Sequence, residues 1–337
     1  MAAKNKVVTK KKTNTYVATT DRISQAVLTG EAQKRTNEKE SLTSPSPEYK
    51  TGLVPKTNKP IYVTVEAGFD PEMTSKLTEE GVAITIFAKN LTYFDKAVHN
   101  AVLSLIVAGN NYMTTQQILN VMTGCETSEG VHYTAGQLAR VRESLHRLIC
   151  VNVGFKAEED SLYLQTTENP IKKYFGPILK IERVIYDANG NETDGYRFMG
   201  NVNEEDELPI LYQYALSKNQ IQSMPVSLLA TPGQKNELYI QLQEYLRTRI
   251  APLESNKGKK YTNKILITSV LEALDIKEDD TNRNTFRTVK KRIIAHIDTI
   301  LTAWAGENGL IDSYTWEYDS VRHHKRAVII QSKSTEE

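Results

Sequence analysis

The densest set of groups able to act on a polyanion is the run Asn282-Arg283-Asn284-Thr285-Phe286-Arg287-Thr288-Val289-Lys290-Lys291-Arg292. Five of the ten residues from 283 to 292 are basic and none is acidic. Guanidinium and amide groups can bond base edges, while ammonium and hydroxyl groups suit phosphate oxygens. Arg283, Arg287 and Lys291 recur every four residues, which lines them along one side of a helix. Arg283, Asn284, Arg287, Lys290 and Lys291 are therefore candidates for contact with duplex DNA. The plain alternative is a solvated cationic face. A second cluster, Arg322-His323-His324-Lys325-Arg326, falls between two strand-like runs, and Arg322, Lys325 and Arg326 there are candidates for backbone phosphates. A weaker set, Gln137, Arg140 and Arg147 with Ser144, lies on the polar side of an earlier helix.

Bond-making chemistry finds less support. A nucleoside-triphosphatase needs a glycine-rich loop ending in Lys-Ser/Thr. Gly258-Lys259-Lys260 lacks the upstream glycine, since position 253 is Leu, and Gly233-Gln234-Lys235 fails as well. A rolling-circle nickase needs two histidines around one apolar residue. Adjacent His323 and His324 on a strand would face opposite sides. His323 and Arg326 have the spacing of a tyrosine recombinase pair, but no tyrosine follows them. The six histidines are scattered, and Cys125 and Cys150 lack zinc-like spacing and read as reduced thiols. No catalytic residue, cofactor or metal is expected.

The elements that must carry these residues follow from periodicity. Thr92, with Asp95 three residues on, opens an apolar period through Phe94, Ala97, Val98, Ala101, Leu105 and Ala108, closed by Gly109. A second helix is expected from Thr114 to Gly124. A third is expected from Thr134 to about Val151, with Leu138, Val141, Leu145, Leu148 and Ile149 inward. Two strands, 151–156 and 161–166, should then form a hairpin. A further hairpin is expected over 176–201 around Ala188-Asn189-Gly190-Asn191. The order then repeats. Helices are expected from about Lys235 to Ile250, closed by Ala251-Pro252, and from Thr262 to Leu274. The third, from about Asn282, has Phe286, Val289, Ile293, Ile297, Ile300 and Trp304 inward. Strands over 313–318 and 327–331 follow. Three helices and a hairpin, twice, is the order of two winged helices, and in each the third helix is the one that enters a major groove.

Charge is uneven along the chain. Residues 1–60 carry 12 Lys/Arg and 5 Asp/Glu, net +7, and the rest carries 30 and 36, net −6. That first stretch is polar and apolar-poor, so a disordered tail is expected, with a short strand at 61–65 beyond it. No run of about 18 apolar residues exists to span a membrane.

The stretch LTYFDKAVHNAVLSLIVAGNNYMTTQQILNVMTG, residues 91–124, resembles the first winged helix of replication initiator proteins from bacterial plasmids and integrative elements. The C-terminal half, with its basic third helix and wing, is similar to the second. The resemblance implies binding to repeated origin sites, melting of an adjacent AT-rich segment, recruitment of the host helicase or its loader, and self-repression as a homodimer. It places groove contacts at Arg283, Asn284, Arg287, Lys290 and Lys291, with Gln137, Arg140 and Arg147 as counterparts. The long basic tail departs from the pattern.

The expectation is an α+β protein of two tandem winged-helix domains, mostly helical with short hairpin wings. Residues 1–60 form the tail, 61–202 the first domain and 203–337 the second. It would be a cytoplasmic, sequence-specific binder of double-stranded DNA and a replication initiator, not an enzyme. A winged-helix transcriptional regulator is the alternative, and a protein–protein adaptor a third reading.

Overall fold

The computed structural model describes residues 14–29, 48–53, 60–67, 91–125, 131–157, 173–188, 191–217, 219–231, 236–255, 263–278, 283–321 and 323–333. The chain is α+β and divides into two compact units, Met1–Val226 and Ser227–Glu337. No described helix is long and apolar enough to cross a membrane.

The first unit begins with strand β1 (Thr15–Thr19) and helix α1 (Arg22–Leu28). Tyr16, Val17, Ala18, Val27 and Leu28 are all buried. This corrects the expectation of a disordered tail over 1–60: these few apolar residues are diluted in the average composition of the stretch, yet they are grouped tightly enough to dock. Strands β2 (Glu48–Leu53) and β3 (Pro60–Ala67) follow, the second covering the expected strand at 61–65. Other residues of the expected tail lie outside the described ones.

Helix α2 (Tyr93–Val107) is the centre of this unit, with every residue from Tyr93 to Ile106 buried. Strand β4 (Tyr112–Met113), helix α3 (Thr115–Met122) and helix α4 (Ala135–Ile149) come next, and both helices pack on α2. The boundaries are set by local chemistry. Thr92, Thr114 and Thr134 each cap a helix reciprocally with the residue three positions on, Asp95, Gln117 and Gln137. Gly109 and Gly124 end α2 and α3 with positive φ of 86° and 74°. In each case the glycine N–H and the next N–H bond back to the last turn, as at Gly109 N to Ile106 O and Asn110 N to Leu105 O. Thr114→Ala removes the bond to the Gln117 N–H (3.2 Å) and frees the Gln117 side chain that bonds the Thr114 N–H (2.8 Å). It should cost about 1 kcal/mol, read as a lower urea midpoint at unchanged slope.

Strand β5 (Val151–Ala157) leaves α4 directly, followed by β6 (Lys173–Pro177), β7 (Ile181–Ala188) and β8 (Asn191–Phe198). β5 pairs antiparallel with β3 and β6 in a sheet of order β2-β3-β5-β6. The expected hairpin partner at 161–166 lies outside the described residues. β7 and β8 form the expected hairpin, in register from Ile181↔Phe198 to Ala188↔Asn191, and β4 adds to its edge. The sequence reading draws a domain boundary after 202. In the structure, helix α5 (Ile210–Ser217) and strand β9 (Ile221–Pro225) belong to the first unit, because β9 pairs along its whole length with β1.

The second unit holds helix α6 (Glu237–Ser255), strand β10 (Lys264–Leu266), helix α7 (Ile267–Ala273), helix α8 (Arg283–Trp304) and strands β11 (Ser313–Tyr318) and β12 (Lys325–Gln331). Two expectations are corrected. Helix α6 runs through Pro252 to Ser255, because proline withholds only one N–H and the last turn tolerates that. Residues 264–266 form a strand, not the start of a helix, since Ile265 is claimed by the β12 edge opposite Val328. The antiparallel sheet has the order β10-β12-β11. Ile293, Ile297, Ile300, Leu301, Trp304, Val328 and Ile330 form much of its core.

Candidate nucleic-acid interface

Helix α8 buries one face from Ile293 onward and leaves its first three turns open. Asn284, Arg287, Thr288, Lys291 and Arg292 are exposed, and Lys290 is half-buried beside Phe286 and Val289. Thr288 returns its hydroxyl to the Asn284 carbonyl at 2.9 Å, so it is spent locally. Among the described residues, no ion pair engages Arg287, Lys290, Lys291 or Arg292. Helix α8 begins at Arg283, whose side chain lies outside the described ones. The result is a cationic stripe with a solvated front and an apolar back. One turn below Arg292, His296 stacks edge-on against Tyr239 with ring centroids 5.1 Å apart. Burial, with help from the Arg292 charge, holds its imidazole below the usual range.

The β11–β12 hairpin differs in detail from the sequence reading. Its tip is a turn closed by Asp319 N to His324 O (2.8 Å) and His323 N to Asp319 O (3.1 Å). His323 sits in that turn with φ of 49°, so the two histidines are not neighbours on a strand. Tyr318 and Val321 are 53% and 82% exposed, which puts apolar groups at the tip among the cations. Arg326 is exposed. It is also the residue left over where the pairing passes from Tyr318↔Lys325 to Glu317↔Ala327. Arg322 lies outside the described residues.

Lys325 is occupied. Its ammonium lies 4.3 Å from the Trp316 ring centroid and 3.5 Å from Asp298 Oδ1. Asp298, on α8, also accepts the Trp316 indole N–H at 2.7 Å and the Tyr314 hydroxyl at 3.0 Å. Burial pushes the Asp298 carboxyl up, but those two donors and the Lys325 charge outweigh it and hold it below the usual carboxylate range. Sequence reasoning passes over this cluster, because nothing near Asp298 in the chain marks it.

The candidates of the first unit are divided by their surroundings. Arg140 is exposed and 3.6 Å from Glu143 on the next turn. Gln137 is half-buried and closes the cap of α4, its Oε1 accepting the Thr134 N–H at 2.9 Å. Arg147 points inward: its Nε and Nη2 donate to Asp95 Oδ1 at 3.0 and 2.7 Å, and Ser144 donates to the same oxygen at 2.7 Å. The structure thus gives Arg147 and Ser144 to a buried carboxylate. Tyr93 is buried, and Tyr133 bonds the Thr123 hydroxyl at 2.8 Å, its phenol pushed up by burial. Residues 257–261 lie outside the described residues. Cys125 and Cys150 are half-buried and form no disulfide among the described residues.

No family model matches the chain, and no curated protein does. Among solved structures, the chain is similar to the crystal structure of domains 2 and 3 of RctB. The TM-score is 0.44 and the identity 10%, over 86% of this chain and 92% of that one. A selenomethionine derivative of the same two domains gives a TM-score of 0.43 and 11% identity, over 87% and 92% of the two chains.

Proposed function

We propose that this chain binds double-stranded DNA through two winged-helix units and serves as a replication initiator of a plasmid or mobile element, acting by binding and not by making bonds. The observation that carries the DNA reading is the stripe of solvated cations Arg287, Lys291 and Arg292, in no ion pair among the described residues, on the opening turns of α8. That helix is the third in its unit and is followed by a hairpin. In such a unit these turns face the major groove, and a cationic tip such as Arg326 lies along the flanking backbone. The initiator role rests on the resemblance of residues 91–124, and with it come the host helicase or its loader and a second copy of the chain as partners.

Arg287→Ala should lower specific affinity by about 1–3 kcal/mol if Arg287 bonds a base edge. Gel shifts on duplexes selected from a random pool check this, and unchanged binding would remove Arg287 from the interface. The initiator role is tested separately, by placing the gene and its flanking DNA on a vector without an origin. Maintenance supports initiation. Binding and repression without maintenance would make the protein a transcriptional regulator.

A further inference from the structure

The Asp298 cluster joins two elements that the DNA-binding reading treats separately. Asp298 projects from the helix that carries the cationic stripe. Its partners come from both strands of the hairpin: Tyr314 and Trp316 from β11, Lys325 from β12. β12 is already fixed to the core by Val328 at its middle and Ile330 toward its far end, both fully buried. Asp298 ties the outer side of the hairpin along its length, from Tyr314 opposite Ile330 and Trp316 opposite Val328 to Lys325 at the near end, which is followed at once by the unmatched residue Arg326. Tyr314 adds a further tie by bonding the Thr302 hydroxyl, one turn along α8, at 2.8 Å. The Asp298 side chain is 45% exposed, so these bonds are an outer brace and not part of the apolar core.

We propose that Asp298 is a positioning residue that sets the hairpin against the third helix, so that Arg326 reaches the DNA backbone when α8 occupies the groove. In this arrangement Lys325 is the handle by which the carboxylate holds the strand, and its charge is spent on Asp298 and Trp316, not on phosphate. Arg326 supplies the phosphate contact. The inference rests on the DNA-binding reading and adds to it a division of labour between two adjacent cations.

A double-mutant cycle tests it. Wild type, Arg326→Ala, Asp298→Ala and the double variant are titrated with a mixed-sequence duplex over a series of KCl concentrations, after thermal unfolding shows that each is folded. In the wild-type background, Arg326→Ala should reduce the salt slope by about 0.9, the value of one lost phosphate contact. In the Asp298→Ala background it should reduce it no further. An equal loss in both backgrounds overturns the positioning role and leaves DNA binding intact. A silent Arg326→Ala in wild type removes the hairpin contact and the proposal with it, while the role of α8 stands or falls on Arg287→Ala. Failure of the wild type to bind any duplex removes the DNA reading itself. If Asp298→Ala does not fold, Asp298→Asn takes its place, since it keeps the side-chain volume and one acceptor and drops the charge that holds Lys325.

Discussion

Arg147→Ala is expected to destabilise the first unit by about 3–5 kcal/mol, as removal of one partner from a buried ion pair does. Asp95 is fully buried at the start of α2. Its carboxylate accepts from the Thr92 N–H at 2.8 Å, the Thr92 hydroxyl at 3.0 Å, the Ser144 hydroxyl at 2.7 Å and the Arg147 guanidinium at 2.7 and 3.0 Å. Among the described residues, only Arg147 forms an ion pair with it. Without Arg147, a desolvated carboxylate is left with neutral donors alone. The Arg147 side chain keeps 22% of its exposure, so water shares part of the work and places the cost toward the lower end of the range. Arg140→Ala is the control. Its pair with Glu143 is 61% and 56% exposed and monodentate, and should cost about 0–1 kcal/mol. Urea unfolding of the two variants side by side decides the matter. Equal midpoints would mean that the Asp95 network contributes nothing beyond a surface pair. The same comparison bears on function: a loss of DNA binding in Arg147→Ala that tracks the unfolded fraction is a loss of fold, not of contact.

The second large effect is expected at Trp304, where Ala should cost the other unit about 3–5 kcal/mol. Trp304 closes α8, is fully buried, and donates its indole N–H to the Leu228 carbonyl at 2.7 Å. The chain folds tightly over it, with Ile311 N bonding the Trp304 carbonyl at 3.0 Å. A Cβ at Gly309 would lie 1.9 Å from that same carbonyl oxygen, so the close approach of this turn to the helix end requires glycine. Trp304→Phe separates the two contributions. It keeps most of the apolar volume and orphans the Leu228 carbonyl, for about 1–3 kcal/mol. The expected order of stability is wild type, Phe, Ala, measured by chemical denaturation. The protein has two tryptophans, so either variant leaves Trp316 as the only tryptophan, a reporter placed on the hairpin. An alanine variant as stable as wild type would show that the cavity collapses at no cost.

Which parts of this were legible in the chain follows from the range of the forces involved. Helix starts and stops were readable because their determinants are local: Thr92, Thr114 and Thr134 bond groups two or three residues away, and Gly109 and Gly124 supply a backbone geometry that other residues resist. The cationic stripe of α8 was readable for the same reason, since helical spacing alone groups Arg287 with Lys291. Elements that exist only through distant partners were not. β1 needs β9, and β10 needs β12, and neither partner is signalled nearby. The commitments of individual charges were hidden too. Arg147 and Lys325 look in sequence like any surface cation, and only the folded positions of Asp95 and Asp298 show that each already has a task. Pro252 is a helix breaker by type, yet this close to a helix end it is tolerated.

The pairing of β1 with β9 has a consequence for biosynthesis. Thr20 and Gln220, which bond backbone to backbone at the end of this ribbon, are 200 residues apart. A nascent chain can lodge the strand on α2, where Ser104 accepts the Val17 N–H at 2.8 Å, but it has no strand partner for β1 until the segment preceding the second unit has left the ribosome. The pairing edge of β1 must therefore wait, its backbone groups unmatched, through most of translation of the first unit. Slow elongation or a stall before codon 221 should leave that stretch open to chaperones and proteases, whereas release of a chain ending after Pro225 should protect it.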